Sequence, residues 1–401
     1  MEIVKEIIQA VKDKGDEAVR YYTKKFDNID LENFSATKKD IENAYKNTSK
    51  ETISALKFAK KNIEAFAKKQ MEQFRCFEVK NDGVVLGQKV IAIEKIGAYV
   101  PGGNYPLPST ALMCVVPAKV AGVKEVIVCS PKIKNETIVA ADIAGADRIF
   151  GVGGVQAIAA MAYGTESIPK VDKIVGPGNI YVTAAKKEIY GDCGIDFLAG
   201  PSEVMVIADE SSNAEFMAAD ILAQLEHDAN AGAFLVTNSS TIINKTKKEI
   251  QKQLQILKTK SIIEKSLKNL KIILIKNINE SVNVANKIAP EHLELQLKNP
   301  EKIIEKLRNY GSLFIGKYSA EAFGDYCSGT NHVLPTGGNA RFTSGLSVRD
   351  FIKLQAYQKI DAVGVKKLSA AALELSNVEG LHAHNKSIQK RANFLKQHKD
   401  N

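Results

Sequence analysis

The feature that most constrains this chain is an alternation that begins at Ile96 and runs twice. IGAYV (96–100) precedes a Gly-Gly turn and STALMCVVPAKVAG, and EVIVC (125–129) precedes ETIVAADIAGA. RIFGV (148–152) then leads to QAIAAMAYG, and KIVG to NIYVTAAKKEIYG. Apolar strands separated by helices of about ten to fifteen residues predict βαβ units on a parallel sheet. A second series starts at VMVIAD (204–209) and continues through AFLVT (233–237), a Lys-rich helix to Leu257 and KIILIK (271–276). It closes with SVNVANKIA, HLELQL, a further helix and GSLFIG (311–316). Two series of similar size predict an α/β protein of two doubly wound domains, consistent with duplication although no residue-level repeat is evident. Residues 1–75 read as helices, and VLGQKVIAI as a hairpin arm. The expected division joins 1–98 with 206–350 as one α/β domain, 99–205 as the second, and 351–401 as a helical arm too small for its own core.

Composition matters mainly for what it removes. A chain of 401 residues has room for two to three domains. The net charge of +9 raises nucleic acid as a partner, but the lysines are spread over helices such as 245–268 without a compact basic block or interleaved aromatics. No nucleic-acid partner is expected. No apolar run approaches the roughly 18 residues of a membrane span, so no membrane association is expected. The first residues form a charge-rich amphipathic pattern without a signal-peptide core, so a cytoplasmic location is expected. Five cysteines, scattered and never in a CxxC pair, fit a reducing compartment and no disulfide frame.

Chemistry concentrates in a few stretches. SSNAEFMAADILAQLEHD (211–228) carries Ser212 and Glu215 at capping-box spacing, which predicts a helix from Asn213. Most of that helix is apolar, so it is buried, yet Asp220, Gln224 and His227 fall on one stripe. Either the stripe satisfies itself by hydrogen bonds, or Gln224 and His227 face a metal or a substrate. Three turns at strand ends are glycine-rich: YVPGGNYPLPST (99–110), GVGGVQ (151–156) and GPGN (176–179). Any one is an ordinary βα junction; together, at helix N-termini, they suit a phosphate-bearing ligand such as a dinucleotide bound without the usual fingerprint.

Only six histidines are present. His292 follows Glu291 where a helix should end and a strand begin, and that pair is either a solvated loop or a proton-transfer pair. His332 lies in FGDYCSGTNHVLPTGG, after Asp325; His382 and His384 lie in EGLHAH, after Glu379. His398, in the polar terminal stretch, reads as inert. His227, an acid such as Asp325 and a C-terminal histidine can together make a zinc site, but spacing alone does not establish it.

YVPGG, VGGVQAIAAMAYGT, VGPGNIYVTAAK, AGPSEVMVIAD, QLEHD, APEHLEL, GDYCSGTNHVLPT and EGLHAH occur together and in order. On these motifs, from 15 to 387, the chain resembles the histidinol dehydrogenase family. The resemblance implies two incomplete Rossmann-like domains with small helical terminal extensions, and NAD-dependent oxidation of L-histidinol to L-histidine through the aldehyde. It implies one zinc ion per site, held by Gln224, His227, Asp325 and His384, orienting the substrate. It implies Glu291 and His292 as the acid–base pair. Ser202, His332 and Glu379 match the family's substrate contacts, together with the metal ligands, and Tyr99, Gln156 and Asn179 match its NAD contacts. It implies a homodimer in which the C-terminal arm completes the partner's site, so that Glu379 and His384 act in trans. Against the family, the chain starts at a helix that relatives carry internally, which touches the dimer contact and no catalytic position. His382, beside His384, stands where the family varies; His384 is expected to be the ligand.

Two other functions fit part of the pattern. A zinc hydrolase would use Glu291 to activate a metal-bound water and would leave the glycine turns idle. A silent metabolite-binding protein would carry a substitution at Glu291, His292 or a zinc position, and none is seen.

Overall fold

The two series each close into a five-stranded sheet whose strands are all parallel in the computed structural model. It describes residues 1–102 and 106–397; Gly103, Asn104 and Tyr105 of the first glycine turn, and the stretch with His398, lie outside the described residues. The first sheet has the order Arg148–Phe150, Glu125–Cys129, Lys95–Tyr99, Lys173–Val175, Gly194–Ile195. The second has the order Leu270–Leu274, Gly232–Thr237, Glu203–Ala208, His292–Gln296, Ser312–Ile315. Each starts in the middle, adds two strands on one side and returns to add two on the other. The expected pair of incomplete Rossmann-like domains is what the chain forms. Helices cover both faces, so the central strands read as continuous apolar runs, and Val204 to Ala208 are all fully buried.

The wind of each sheet creates a switch point between its first and fourth strands. In the first sheet, Ile96 pairs with Val126 on one side and Lys173 on the other. In the second, His292 pairs with Val204 and with Ser312. That register sets Glu203 beside Glu291 at the amino ends of the two switch-point strands.

The chain forms two compact units: Met1–Met71 with Ile93–Phe351, and Glu72–Ala92 with the chain from Ile352 onward. In the first unit, the helices Glu2–Lys14 and Asp16–Asp27 bury Val4, Ile7, Ile8, Val11 and Val19 in the core of the first sheet. The sequence reading had grouped them with the series after 206. An amphipathic stripe demands an apolar partner without saying which of two sheets supplies it.

The second unit is a three-stranded antiparallel sheet, Phe77–Asn81, Val84–Ala92 and Ile352–Ile360, with helices Ala362–Val378 and His382–Gln397. The hairpin turns on Asp82 and Gly83, both at positive φ (42° and 80°), as a two-residue turn requires. The strand Ile352–Ile360 corrects the expectation that everything after Phe351 is helical. Its alternation, IKLQAYQKI, was visible in the sequence, but the strand is mostly exposed and lacks the apolar run that marks a buried one.

The polar-stripe helix also differs in detail. It spans Ala214–Leu225, and its N-cap is Asn213, whose side chain accepts from the backbone N–H groups of Glu215 and Phe216. Ser212 instead donates to the carbonyl of Gln296 and accepts from Asp209 N–H. His227 therefore lies beyond the helix end, at an exposed position.

Candidate functional site

The second sheet presents its chemistry at its amino edge. A helix that follows a parallel strand runs back antiparallel to it, so the end of Ala214–Leu225 returns to the edge where Glu203 and His292 begin their strands. Glu291 and His292 meet there, and the short helix Glu321–Tyr326 after Ser312–Ile315 brings Glu321 and Asp325 to His292.

Glu291 and His292 are both buried, which rules out the solvated-loop reading. Glu291 Oε2 accepts from the Ser202 hydroxyl and from Glu203 N–H at 3.0 Å. Burial pushes its carboxyl up to about 8 against those hydrogen bonds, with Asp325 and Glu203 adding repulsion. His292 Nδ1 lies 3.2 Å from the carbonyl of Glu203 and 3.7 and 3.6 Å from the carboxylates of Glu291 and Glu321. A carbonyl only accepts, so Nδ1 carries the proton and Nε2 keeps its lone pair. That Nε2 is buried, makes no hydrogen bond and lies 3.7 Å from Asp325 Oδ1. Burial pushes the imidazole down to about 3, and His227 and His332 lower it further. His292 is thus a neutral, unpartnered base.

Around it the acids crowd. Asp220 and Glu294 are hydrogen-bonded carboxyl to carboxyl, and Glu294 Oε1 also accepts from Glu321 N–H at 3.0 Å. Burial and mutual repulsion raise Glu294 and Glu321 well above the usual carboxylate range, and burial pushes Asp220 and Asp325 up to about 6. His227 acts on Asp325 in the opposite sense, lowering it. Among the described residues, His292, Glu321 and Asp325 offer ligand atoms within 4.8 Å of one another. Imidazole nitrogen and carboxylate oxygen suit a divalent cation such as zinc.

Gln224 supplies the sharper test of a metal. It is fully buried, and neither its amide oxygen nor its amide nitrogen has a partner. The stripe therefore satisfies itself at Asp220 and not at Gln224. A buried, orphaned amide fits a metal or ligand that completes it. The residues present suit the group that the resemblance implies.

His332 connects this edge to the first sheet. Its Nδ1 lies 2.7 Å from the carbonyl of Asp325, and its Nε2 3.1 Å from the hydroxyl of Thr110, on the helix Pro108–Val120. Beside it, Asn331 Nδ2 donates to the carbonyl of Met113 at 2.7 Å.

The first sheet presents its carboxyl edge, as open α/β sheets ordinarily do. Tyr99 ends one switch-point strand; its buried hydroxyl accepts from Gly154 N–H at 3.1 Å, and burial pushes it up to about 12. Gln156, in the first turn of Gly154–Tyr163, is buried with both amide atoms unpartnered. Asn179 caps Ile180–Ile189, accepting from Tyr181 and Val182 N–H, and is exposed. Gly176 has φ of 111°, and a Cβ there would meet the Tyr99 carbonyl at 2.1 Å. The turn is held from beneath by a buried Lys186–Asp196 pair: Lys186 donates to the Gly176 carbonyl at 2.9 Å, and Asp196 accepts from Gly176 N–H at 2.8 Å. These features suit a ligand that reads backbone N–H groups and needs close approach to them.

Glu379 and His384 belong to the second unit, at the C-cap of Ala362–Val378 and in the first turn of His382–Gln397, and both are exposed. The structure also adds residues that motif reading passed over: Glu203, Glu294, Glu321 and Thr110. Glu294 and Gln296 alternate with apolar residues from His292 onward, so polar side chains at period two in a buried strand were a readable sign. Thr110 left no such sign.

Comparison with known proteins agrees over the whole length. The family described as histidinol dehydrogenase matches residues 1–392. The histidinol dehydrogenase of Methanocaldococcus jannaschii is 50% identical over 393 residues, covering 97% of this chain and 91% of that protein. That of Aquifex aeolicus is 48% identical over 393 residues, covering 97% and 92%. The crystal structure of histidinol dehydrogenase from Elizabethkingia anophelis superposes with a TM-score of 0.95 at 39% identity, covering 98% of this chain and 92% of that one.

Proposed function

The chain belongs to the histidinol dehydrogenase family of oxidoreductases, and we propose that it oxidises L-histidinol to L-histidine through L-histidinaldehyde, in two NAD-dependent steps that end histidine biosynthesis. The observation that carries the reading is His292: a buried imidazole with Nδ1 turned to a carbonyl and Nε2 free as a base.

In the first oxidation His292 Nε2 takes the hydroxyl proton of the alcohol. The aldehyde has no hydroxyl to deprotonate, so water must add before the second oxidation. Glu291, oriented by Ser202 and Glu203 N–H, removes the proton from that water. His292 then takes a proton from the resulting hydrate. Tyr99, Gln156 and Asn179 would hold NAD, which would supply the hydride acceptor for both oxidations. Gln224, His227, Asp325 and His384 would hold one zinc ion, which supplies a cationic anchor that orients the substrate. Ser202, His332 and Glu379 complete the substrate's surroundings.

The homodimer belongs to the same proposal, with Glu379 and His384 supplied by the partner. In its support, the second unit leaves Leu354, Leu375 and Val378 exposed, and its last helix buries no residue. Mixing His384→Ala with His227→Ala chains should then restore activity in heterodimers; no recovery despite subunit exchange would place the site within one chain.

The deciding assay is NADH formation from L-histidinol before and after chelation. The expected result is two NADH per histidinol, lost on chelation and restored by zinc. No NADH at any pH with zinc present would sink the reading.

A further inference from the structure

We propose that Thr110 is a positioning residue of the acid–base site: its hydroxyl holds the His332 ring in one tautomer, and that ring holds the Asp325 backbone. The link joins the helix Pro108–Val120 to the short helix Glu321–Tyr326 that carries Asp325, within one compact unit. Its consequence for histidinol rests on the function proposed above; the hydrogen bonds themselves do not.

The tautomer follows from the partners. The Asp325 carbonyl, 2.7 Å from His332 Nδ1, can only accept, so Nδ1 bears the hydrogen. In that tautomer Nε2 carries the lone pair and is an acceptor. Thr110 Oγ1, 3.1 Å away and itself buried, is then the donor. Both ring nitrogens are used. Asn331, the preceding residue, donates to the carbonyl of Met113 one turn further along the same helix. Asn331 and His332 are therefore pinned to Pro108–Val120 at two successive residues, and His332 in turn holds the Asp325 carbonyl.

Two consequences follow. Removing the Thr110 hydroxyl leaves the His332 acceptor unpaired and frees the ring, so its hold on the Asp325 carbonyl loosens. A freed ring no longer sets the Asp325 backbone in one position, which makes Thr110 a determinant of substrate affinity and not of the proton transfers at His292.

The test uses the full-length, zinc-loaded protein in three forms: wild type, Thr110→Val and Thr110→Ser. Long-range proton–nitrogen NMR of histidine-labelled protein reads the ring directly. In wild type and Thr110→Ser, His332 should show a protonated Nδ1 and a hydrogen-bonded, unprotonated Nε2. In Thr110→Val the Nε2 resonance should move to the unbonded position. The KM for histidinol should rise about tenfold in Thr110→Val, with kcat within about threefold, and return in Thr110→Ser. If valine does not fit the helix, Thr110→Ala carries the same comparison. Unchanged His332 resonances in the variant lacking the hydroxyl would overturn the proposal, as would a rise in KM that serine does not rescue. If the wild-type protein does not oxidise histidinol, the function reading fails, and the ring resonances alone decide the role of Thr110.

Discussion

The two sheets have one strand order and opposite working edges. The first offers the carboxyl ends of its strands, where Tyr99, Gln156, Gly176 and Asn179 line turns that lead into helices. The second offers its amino ends, where Glu203, Glu291 and His292 begin strands and the helix Ala214–Leu225 comes to its end. The difference follows from what each edge presents. Carboxyl ends lead to helix N-termini, whose free N–H groups favour anions. Amino ends lie beside helix C-termini, whose carbonyls favour cations. In the proposed reaction a pyrophosphate goes to the first kind of edge, and a metal ion and a cationic substrate go to the second.

That division can be broken most severely at His292. Its replacement by alanine should slow both oxidations by about 10²–10⁴-fold, the usual range for a general base. The dissociation constant for NAD should not change, because the proposed NAD contacts Tyr99, Gln156 and Asn179 belong to the first sheet and its helices. Single-turnover hydride transfer and a direct NAD titration read the two halves separately; a parallel loss of NAD affinity would end the comparison.

Glu291→Gln should separate the two oxidations within one edge. Only the hydration step uses that carboxylate, so the second oxidation should slow about a hundredfold more than the first, and aldehyde should accumulate. The sign with pH follows from burial. A carboxyl raised to about 8 is mostly protonated at neutral pH, so hydration in the wild type should rise as pH climbs through 8. That rise should vanish in Glu291→Gln. Equal loss in both steps would assign Glu291 another role.

At the other edge the matching probe is Gly176→Ala. The added Cβ would sit at positive φ and 2.1 Å from the Tyr99 carbonyl, so the turn must open. Strain of about 1–3 kcal/mol should appear as a lower Tm, and NAD should bind about tenfold more weakly. Zinc content, measured by atomic absorption, should be unaffected.

What the sequence disclosed divides along the same line. The parallel sheets were legible because strands buried on both faces must be apolar runs, as in VMVIA and KIVG. Glu291–His292 sits at the helix-to-strand boundary where it was expected. The strand Ile352–Ile360 was missed because an exposed strand need not be apolar. The placement of the N-terminal helices was missed because an amphipathic stripe does not name its partner. Use of the amino edge was not legible at all, because it depends on where Gln224 and Asp325 return in space.

The smallest effect is also the sharpest, because it changes sign with the metal. Gln224 is buried with both amide atoms unpaired, and each such atom costs about 1–3 kcal/mol. Methionine has nearly the same length and no group that needs a hydrogen bond. Gln224→Met should therefore raise the stability of the zinc-free protein, by about 1–2 kcal/mol in denaturant unfolding. Zinc reverses the order: a ligand that binds only the folded state stabilises it in proportion to RT ln(1 + [L]/Kd), and the variant has lost a ligand. The two unfolding curves should exchange places as zinc is added. If Gln224→Met instead destabilises the zinc-free protein, the amide is satisfied without a metal. The helix Ala214–Leu225 would then be a core element only, and the amino edge of the second sheet would lose its claim to a cation.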